Sequence, residues 1–203
     1  MSERRRCRLK AGTSDDLVDA VLVEELTKDD LLKAHLDWAP VRIEALRRLY
    51  DAKVRWPEHW HWDWSKKADM LDLLAYRCMG IECEGQTQGL LMVSTIAGKS
   101  RLVEQLGKAV LYIEFVESAP WNLRDLVERP KFLGVGVALL EAAIEFSTTE
   151  GFGGRIGLHS LPQSEPFYRR YMTDLGPDAG HSEGLRYFEM SADQMRYFLE
   201  GRK

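Results

Sequence analysis

Two glycines stand at the start of an amphipathic stretch and have the spacing of a phosphate-binding helix entry. The segment RPKFLGVGVALLEAAIEFS, residues 129–147, places Gly134 and Gly136 ahead of apolar residues that recur at helical spacing. The first N–H groups of a helix lack backbone partners and lie at the positive end of its dipole, so glycines there let an anion approach the amides. We expect the amides of residues 133–137 to form such a cradle, with Lys131 adding positive charge. On the motif alone, the alternative is a turn glycine followed by a helix-entry glycine.

Two carboxylates in the strand-like segment AVLYIEFVES have the chemistry of a general base. Glu114 lies in the middle of an otherwise apolar strand, where burial would raise its pKa toward the range that base catalysis needs. Strand alternation places Glu117 on the opposite face, so only one of the two can face a cleft. For either residue the alternative is a structural ion pair.

A tryptophan-rich segment is the third candidate. RWPEHWHWDW, residues 55–64, contains four of the six tryptophans of the chain, together with the pair His59 and His61. A third ligand at metal-site spacing is missing, so no metal is expected. A base-stacking platform is disfavoured by the net charge of -4, so no nucleic-acid partner is expected. Core packing and the wall of a pocket for an amine both stay open. The candidate substrate-binding residues are Trp56, Trp62 and Asp63.

Composition limits the class of protein. With 203 residues, of which 45% are hydrophobic, the chain can bury a core as a single domain over residues 1–203. The arginine-rich residues 1–15 are expected to form a flexible arm. No apolar run approaches the roughly 20 residues of a membrane helix, and no signal-peptide pattern follows the basic start. The three cysteines have neither zinc-site spacing nor disulfide density. We therefore expect a cytoplasmic protein without a membrane partner.

The order of the predicted elements is mixed. Residues 20–26 are dense in apolar positions, and the helical pattern that follows is interrupted at Pro40, which predicts two helices around a kink. A hairpin, a strongly strand-like segment, the glycine-fronted helix, another strand, a short helix and a last strand come next. Strands outnumber helices, so the fold class is α+β or α/β with a mostly antiparallel sheet.

The second half of this order resembles the GNAT superfamily of acyl-CoA-dependent N-acyltransferases. The resemblance rests on LYIEFVES, KFLGVGVALLEAAIEF, GRIGLHSL and SEPFYRRYMTDLG, about residues 109–175. Lys131 stands at the position of the family's Gln or Arg, and Tyr171 and Met172 depart from the end of the family's last motif. The resemblance implies a twisted, mostly antiparallel sheet flanked by helices, with splayed central strands. It also implies acetyl-CoA as co-substrate and no metal.

The resemblance also implies roles for particular residues. Glu114 and Glu117 are the candidate bases, and Tyr168 matches the family tyrosine that donates a proton to the departing thiolate. Ser160 and Ser164 are secondary candidates, although Ser164 is also suited to cap the short helix. The residues implied in acetyl-CoA binding are Val116, whose amide is the candidate oxyanion donor, Lys131, Phe132, Leu133, Gly134, Val135, Gly136, Val137, Ser160 and Ser164.

The activity implied is acetyl transfer from acetyl-CoA to a primary amine of a small molecule, directly in a ternary complex. A route through an acyl-enzyme on a cysteine, with His159 as base, is not favoured because the two side chains come from distant segments. His159 faces either core or cleft. Two alternatives stay open: a protein or peptide N-acetyltransferase, and a catalytically degenerate domain that binds CoA or a protein partner. A monomer or a homodimer is expected.

Overall fold

The structure, a computed structural model, describes residues 3–14, 16–181 and 183–201. These residues fall into two compact units. Unit 1 comprises Met1–Met92 and Phe115–Leu140, and unit 2 comprises Val93–Glu114 and Glu141–Lys203. Because two strands and one helix run from one unit into the other, we keep the single domain as a proposal.

Unit 1 contains an antiparallel array of strands in the order β6-β1-β2-β3-β4. Cys7 of β1 lies opposite Ala20 of β2, and Lys10 lies opposite Leu133 of β6. The prediction of a flexible arm is therefore wrong for residues 4–11, because Leu9 is buried and the arginines around it occupy a paired strand. The bounds are β1 (Arg4–Ala11), β2 (Leu17–Val23), β3 (Tyr76–Cys83), β4 (Gln86–Lys99), which continues into unit 2, and β6 (Phe132–Leu133).

Helix α1 (Lys28–Asp51) is one helix, not the predicted pair around a kink. It begins with a capping box, in which Thr27 and Asp30 each accept from the backbone N–H of the other. Pro40 removes one helical hydrogen bond, yet helix residues on both sides of it are buried in unit 1 and hold the helix together. Helix α2 (Trp64–Lys67) is short and packs beside it. The shared apolar cluster includes Leu31, Ala34, Trp38, Trp64, Leu90 and Met92.

Unit 2 contains strands in the order β5-β7-β9-β8. The β5–β7 pair is parallel, and the β7–β9 and β8–β9 pairs are antiparallel. Among the residues described, the sheet is thus mostly antiparallel with flanking helices, which confirms the predicted fold class. The bounds are β5 (Ala109–Ser118), which continues into unit 1, β7 (Ile156–Ser160), β8 (Thr173–Pro177), β9 (Arg186–Glu189), α3 (Val135–Thr149), which begins in unit 1, α4 (Glu165–Tyr168) and α5 (Ala192–Glu200).

Strands β5 and β7 pair over only part of their lengths. The register runs from Leu111 opposite Ile156 to Ile113 opposite Leu158, whereas β7 continues to Ser160. We call the point where this pairing ends the fork. Glu114 and His159 are the first residues beyond it on their strands. Beyond this point β7 still pairs with β9 on its other edge, so the backbone groups on its β5 side are the ones available to a ligand.

Candidate active site

The glycine-fronted entry of α3 has the geometry of an anion cradle. Gly134 has φ +87°, a conformation that side chains other than glycine rarely adopt, and its carbonyl accepts the first helical bond from Ala138 N at 2.9 Å. Gly134 therefore occupies the cap position, and the amides of residues 135–137 have no acceptor within the helix. A Cβ built on Gly134 meets nothing within 4 Å, so the space beside Gly134 is open.

Lys131 is engaged in an ion pair. Its ammonium lies 2.9 Å from Glu84 Oε2 and 3.2 Å from Gln86 Oε1, in the turn between β3 and β4. The pair is exposed, so it contributes little and an anionic ligand can compete for the ammonium. Contact of Lys131 with phosphate stays a prediction. Next to it, Phe132 N donates to Asn122 Oδ1 at 2.9 Å, which anchors β6 and the helix entry behind it.

Glu117 is the centre of a buried polar cluster in unit 1, the Glu117 cluster, formed with Arg42, His59, Trp64 and Lys67. Arg42 Nη2 donates to Glu117 Oε1 at 2.7 Å, and Trp64 Nε1 donates to Oε2 at 2.6 Å. His59 Nε2 lies 3.6 Å from Oε1. Burial raises the pKa of Glu117 to about 7, while Arg42 and Trp64 hold it down. Both oxygens are occupied, so this carboxylate ties β5 to α1 and α2.

Glu114 has a different environment. It is half-buried, and its carboxylate makes no hydrogen bond or ion pair with any residue in the part of the chain that the structure describes. Burial raises the pKa of Glu114 above its ordinary value. A carboxylate at the fork with a raised pKa and free oxygens has the properties of a general base. The role of Glu114 as the general base stays a prediction.

The other predicted residues of unit 2 lie near α4. Tyr168 is 5% exposed, its ring packs 5.2 Å from Phe167 and 5.8 Å from Phe188, and burial raises the pKa of its hydroxyl. Ser160 Oγ donates to the carbonyl of Leu161 at 2.9 Å. Ser164 occupies the cap position of α4, but its side chain makes no capping hydrogen bond. Ser164 is thus at the position that the capping alternative predicted, but it does not cap α4 through its hydroxyl.

In the aromatic segment of unit 1, a lysine ammonium lies against two aromatic rings. Trp62 meets Phe115 edge to face with ring centroids 5.3 Å apart, and the ammonium of Lys67 lies 3.2 Å from the Phe115 centroid and 4.7 Å from that of Trp62. Burial lowers the pKa of Lys67 to about 8. Trp56 packs instead against Trp60, at 5.0 Å. The predicted substrate residues Trp56 and Trp62 thus make separate contacts.

Asp63 has a structural role that the sequence prediction missed. Its carboxylate accepts from the backbone N–H groups of Ser65 and Lys66 and caps α2, and it lies 3.5 Å from His35 Nδ1. The hydroxyl of Ser65 also donates to Asp63 Oδ1, and this bond holds the pKa of Asp63 below its ordinary value. Binding of an amine by Asp63 stays a prediction, and it competes with the capping role.

A second polar group, at the fork, involves residues that the sequence prediction did not connect. Tyr112 Oη lies 2.7 Å from His159 Nδ1, His159 Nε2 lies 2.9 Å from Asp178 Oδ2, and Arg101 Nη2 lies 2.8 Å from the same Oδ2. We call these four residues the His159 chain. Tyr112 stands two positions before Glu114 on β5, a spacing that places both on one face of an ideal strand. Asp178 follows β8, and no spacing rule predicts its contact.

The potential metal ligands and the cysteines are placed as follows. Within residues 3–14, 16–181 and 183–201, no group of three or more His, Cys, Asp or Glu side chains could hold a metal ion. Cys7, Cys78 and Cys83 form no disulfide with one another, and burial raises the pKa of Cys78 well above its usual range, which disfavours a thiolate nucleophile there. None of the described helices has the length and apolar character needed to cross a membrane.

Comparisons with known proteins identify the fold. Neither a protein-family model nor a curated protein matches the sequence. Among solved structures, the PaiA N-acetyltransferase of Thermoplasma acidophilum, in complex with coenzyme A, matches with TM-score 0.54 and 15% identity over 85% of this chain and 98% of that chain. The aminoglycoside acetyltransferase AAC(6')-Ib, with coenzyme A and kanamycin, matches with TM-score 0.54 and 16% identity over 88% and 98%.

A third match is Mycobacterium smegmatis RimJ in complex with CoA-disulfide, with TM-score 0.51 and 12% identity over 99% of this chain and 95% of that chain. All three are GNAT acetyltransferases. The chain therefore has the GNAT fold, and the resemblance drawn from residues 109–175 is confirmed at the level of the fold. At these identities the match carries no information on substrate.

Proposed function

We propose that the chain is an acetyl-CoA-dependent N-acetyltransferase that acetylates a primary amine of a small molecule by direct transfer in a ternary complex. The observation that carries this proposal is the entry of α3, where Gly134 opens a row of free amides within a GNAT fold. PaiA and AAC(6')-Ib, which share the fold, hold coenzyme A in their crystals. The same co-substrate is the one that the resemblance implies.

The residues present fit acetyl-CoA. Its pyrophosphate requires free amides and close approach of backbone, and the first amides of α3 with the open space beside Gly134 support this fit. Beyond Leu158, β7 stays paired with β9 but no longer pairs with β5, so the backbone groups on its β5 side can bind an amide-bearing arm. Lys131 is close to the cradle in sequence, and its contacts with Glu84 and Gln86 are exposed. Bound acetyl-CoA supplies a thioester whose carbonyl carbon a neutral amine can attack.

The chain supplies the proton chemistry. An amine is protonated near neutral pH, so Glu114 would remove one proton from the ammonium and leave the nucleophile neutral. The amide of Val116 is the candidate donor to the oxygen that becomes negative during the attack. Tyr168 is the candidate donor to the departing thiolate. Glu117 is assigned no proton transfer, because both of its oxygens accept hydrogen bonds inside the Glu117 cluster.

The first prediction concerns the cradle. Acetyl-CoA at 100 times its Kd should stabilise the protein by about 2.7 kcal/mol, or about 5–10 °C in Tm for a chain of this size. Gly136→Val should abolish this shift, because a branched side chain in the first turn of α3 obstructs the approach to the amides. Thermal denaturation with and without acetyl-CoA measures it.

Gly98→Val is the matched control, because a Cβ on Gly98 meets nothing within 4 Å. It should keep the full shift. No shift in the wild-type protein at millimolar acetyl-CoA would contradict the proposed function. A normal shift in Gly136→Val would place the phosphate site elsewhere.

The second prediction concerns the acceptor. A thiol-release assay with acetyl-CoA against a library of small amines should find turnover, and Trp62→Ala should lower kcat/KM for the amine by at least about 10-fold. Asp63→Asn keeps a side chain able to cap α2 and removes the charge. It should raise the amine KM about 10-fold, with the KM of acetyl-CoA unchanged, if Asp63 pairs with the amine.

Asp69→Asn is the control for loss of an exposed acidic charge near α2 and should leave both KM values unchanged. If only peptides or proteins support CoA release, and Trp62→Ala and Asp63→Asn leave that release intact, the small-molecule acceptor and the pocket are both wrong. If nothing supports release although acetyl-CoA binds, the degenerate CoA-binding alternative is correct.

A further inference from the structure

The His159 chain lies at the fork, where the proposed chemistry takes place. Its central residue, His159, and the candidate base, Glu114, are the first residues beyond the last β5–β7 pair. Tyr112 stands two positions before Glu114 on the same strand. Burial, with a smaller contribution from the charge of Glu114, raises the pKa of Tyr112 to about 12. The tyrosine hydroxyl therefore lies within the electrostatic field of the candidate base.

The direction of the hydrogen bonds in the His159 chain follows from its charges. Arg101 and His159 hold the pKa of Asp178 far below its usual range, so Asp178 is an anion that can only accept. His159 Nε2 must then carry the hydrogen that Asp178 accepts. Burial lowers the pKa of His159, so the ring is neutral and Nδ1 is an acceptor. Tyr112 accordingly donates its hydroxyl proton to Nδ1 at 2.7 Å.

This order of donors leaves the lone pairs of the Tyr112 oxygen available. A proton that arrives at this oxygen can displace the hydroxyl proton onto His159 Nδ1, and the resulting imidazolium lies 2.9 Å from the Asp178 carboxylate. The same logic of hydroxyl, imidazole and carboxylate operates in hydrolytic triads. Here the hydroxyl passes a proton and forms no covalent bond.

We propose, on the basis of the proposed function, that Tyr112, His159 and Asp178 form a proton shuttle that moves one proton from the acceptor nitrogen to the CoA sulfur. Glu114 takes the first proton, from the ammonium. The nitrogen then bonds to the acetyl carbon and must lose a second proton, while the C–S bond breaks and the sulfur must gain one. Tyr112 takes the proton from nitrogen as its own passes to His159 Nδ1. The reverse transfer delivers a proton to the sulfur, and the shuttle returns to its starting state.

This assignment differs from the tyrosine implied by the resemblance. Tyr168 packs among aromatic rings, and its hydroxyl makes no hydrogen bond with any residue in the described ranges, so it has no neighbour to replace a donated proton. Tyr112 has His159 at 2.7 Å. A donor that is reprotonated by its neighbour can serve both steps of the transfer.

The titration of His159 in the protein without substrates is the first test. The groups that contact the ring or act on its charge are Tyr112 on β5, Arg101 after β4, Asp178 and His181 after β8, and Tyr187 on β9. Glu114 acts on Tyr112, and Glu189 acts on Tyr187. The ¹⁵N shifts of His159 should show the tautomer with hydrogen on Nε2. Tyr112→Phe should raise the pKa of His159, because a donor to the neutral ring is lost. Hydrogen on Nδ1 would overturn the proposal.

Kinetics give the second test. Tyr112→Phe and His159→Asn should each lower kcat at least about 10-fold, with the KM of acetyl-CoA changed by less than about 3-fold, and the double variant should be no slower than either. Tyr171→Phe, which loses a hydroxyl from a packed ring near α4, is the control and should keep full kcat. A Tyr112→Phe enzyme with wild-type kcat would refute the shuttle and leave the proposed function intact. A wild-type protein without acetyl transfer would refute the proposed function, and the shuttle with it.

Discussion

Replacing Arg42 by methionine should lower the free energy of unfolding by about 3–5 kcal/mol. Arg42 Nη2 is 2.7 Å from Glu117 Oε1, and the two side chains are 9% and 2% exposed. Methionine fills similar volume but leaves the Glu117 carboxylate buried without its cation. Urea unfolding of the wild-type and variant proteins at pH 7.5 measures the difference.

The stability lost in Arg42→Met should depend on pH, in a direction that follows from the pKa of Glu117. The pKa of Glu117 is raised by burial from 4.5 to about 7, so the folded state binds this proton more tightly than the unfolded chain does. The stability that this more tightly bound proton contributes is fully present below about pH 4.5 and is lost as the pH rises through 7. Without Arg42, the pKa of Glu117 in the folded state rises further. The variant therefore continues to lose stability up to a higher pH than the wild type does. The difference between wild type and Arg42→Met should therefore be smaller at pH 5 than at pH 8.

Two further variants separate the ion pair from packing. Arg47→Met, on the same helix, removes an arginine that is 72% exposed and should change stability by less than about 0.5 kcal/mol. Adding Glu117→Gln to Arg42→Met should recover much of the loss, because glutamine carries no charge and can still accept from Trp64. A loss that is equal at pH 5 and pH 8, and that the double variant does not reduce, would mean that Arg42 acts through packing alone.

The sequence predicted the parts of the fold that local patterns encode. Gly134 before an apolar helical period predicted the start of α3, and its positive φ explains why glycine is there. The arginine-rich β1 was missed, because its pairing with β2 is a tertiary contact that outweighs local composition. Pro40 wrongly predicted a break in α1. The proline disfavours a helix locally, but packing of helix residues on both sides of it keeps the helix whole.

From the sequence, only the site residues that lie on the same strand could be predicted together. Glu114 and Glu117 look alike in sequence, and their difference comes from Arg42, which lies 75 positions before Glu117. Asp178 lies 66 positions after Tyr112, the two being joined only through His159. Contacts across such separations follow from the sheet order. A single sequence contains the residues of the His159 chain, but not the register that brings them together.

Glu114→Gln should lower kcat for acetyl transfer by about 10²-fold or more. The variant keeps the size of the side chain and removes its ability to take the proton from the ammonium. Because burial raises the pKa of Glu114, the wild-type enzyme should lose activity as the pH falls through that raised value, when the base becomes protonated. The variant should lack this acidic limb. The pH dependence of kcat for both proteins, with the best amine from the thiol-release assay, measures the effect.

Stability and affinity distinguish a lost base from a damaged site. Glu114 makes no hydrogen bond or ion pair with any described residue, and burial disfavours its charge, so the variant should unfold at the same temperature or higher. The KM of acetyl-CoA should be nearly unchanged. Glu104→Gln, an exposed substitution in the same unit, should keep full kcat. An acidic limb that persists in Glu114→Gln would assign the base to another group, and His159 would be the next to replace, because its ring also titrates at the fork.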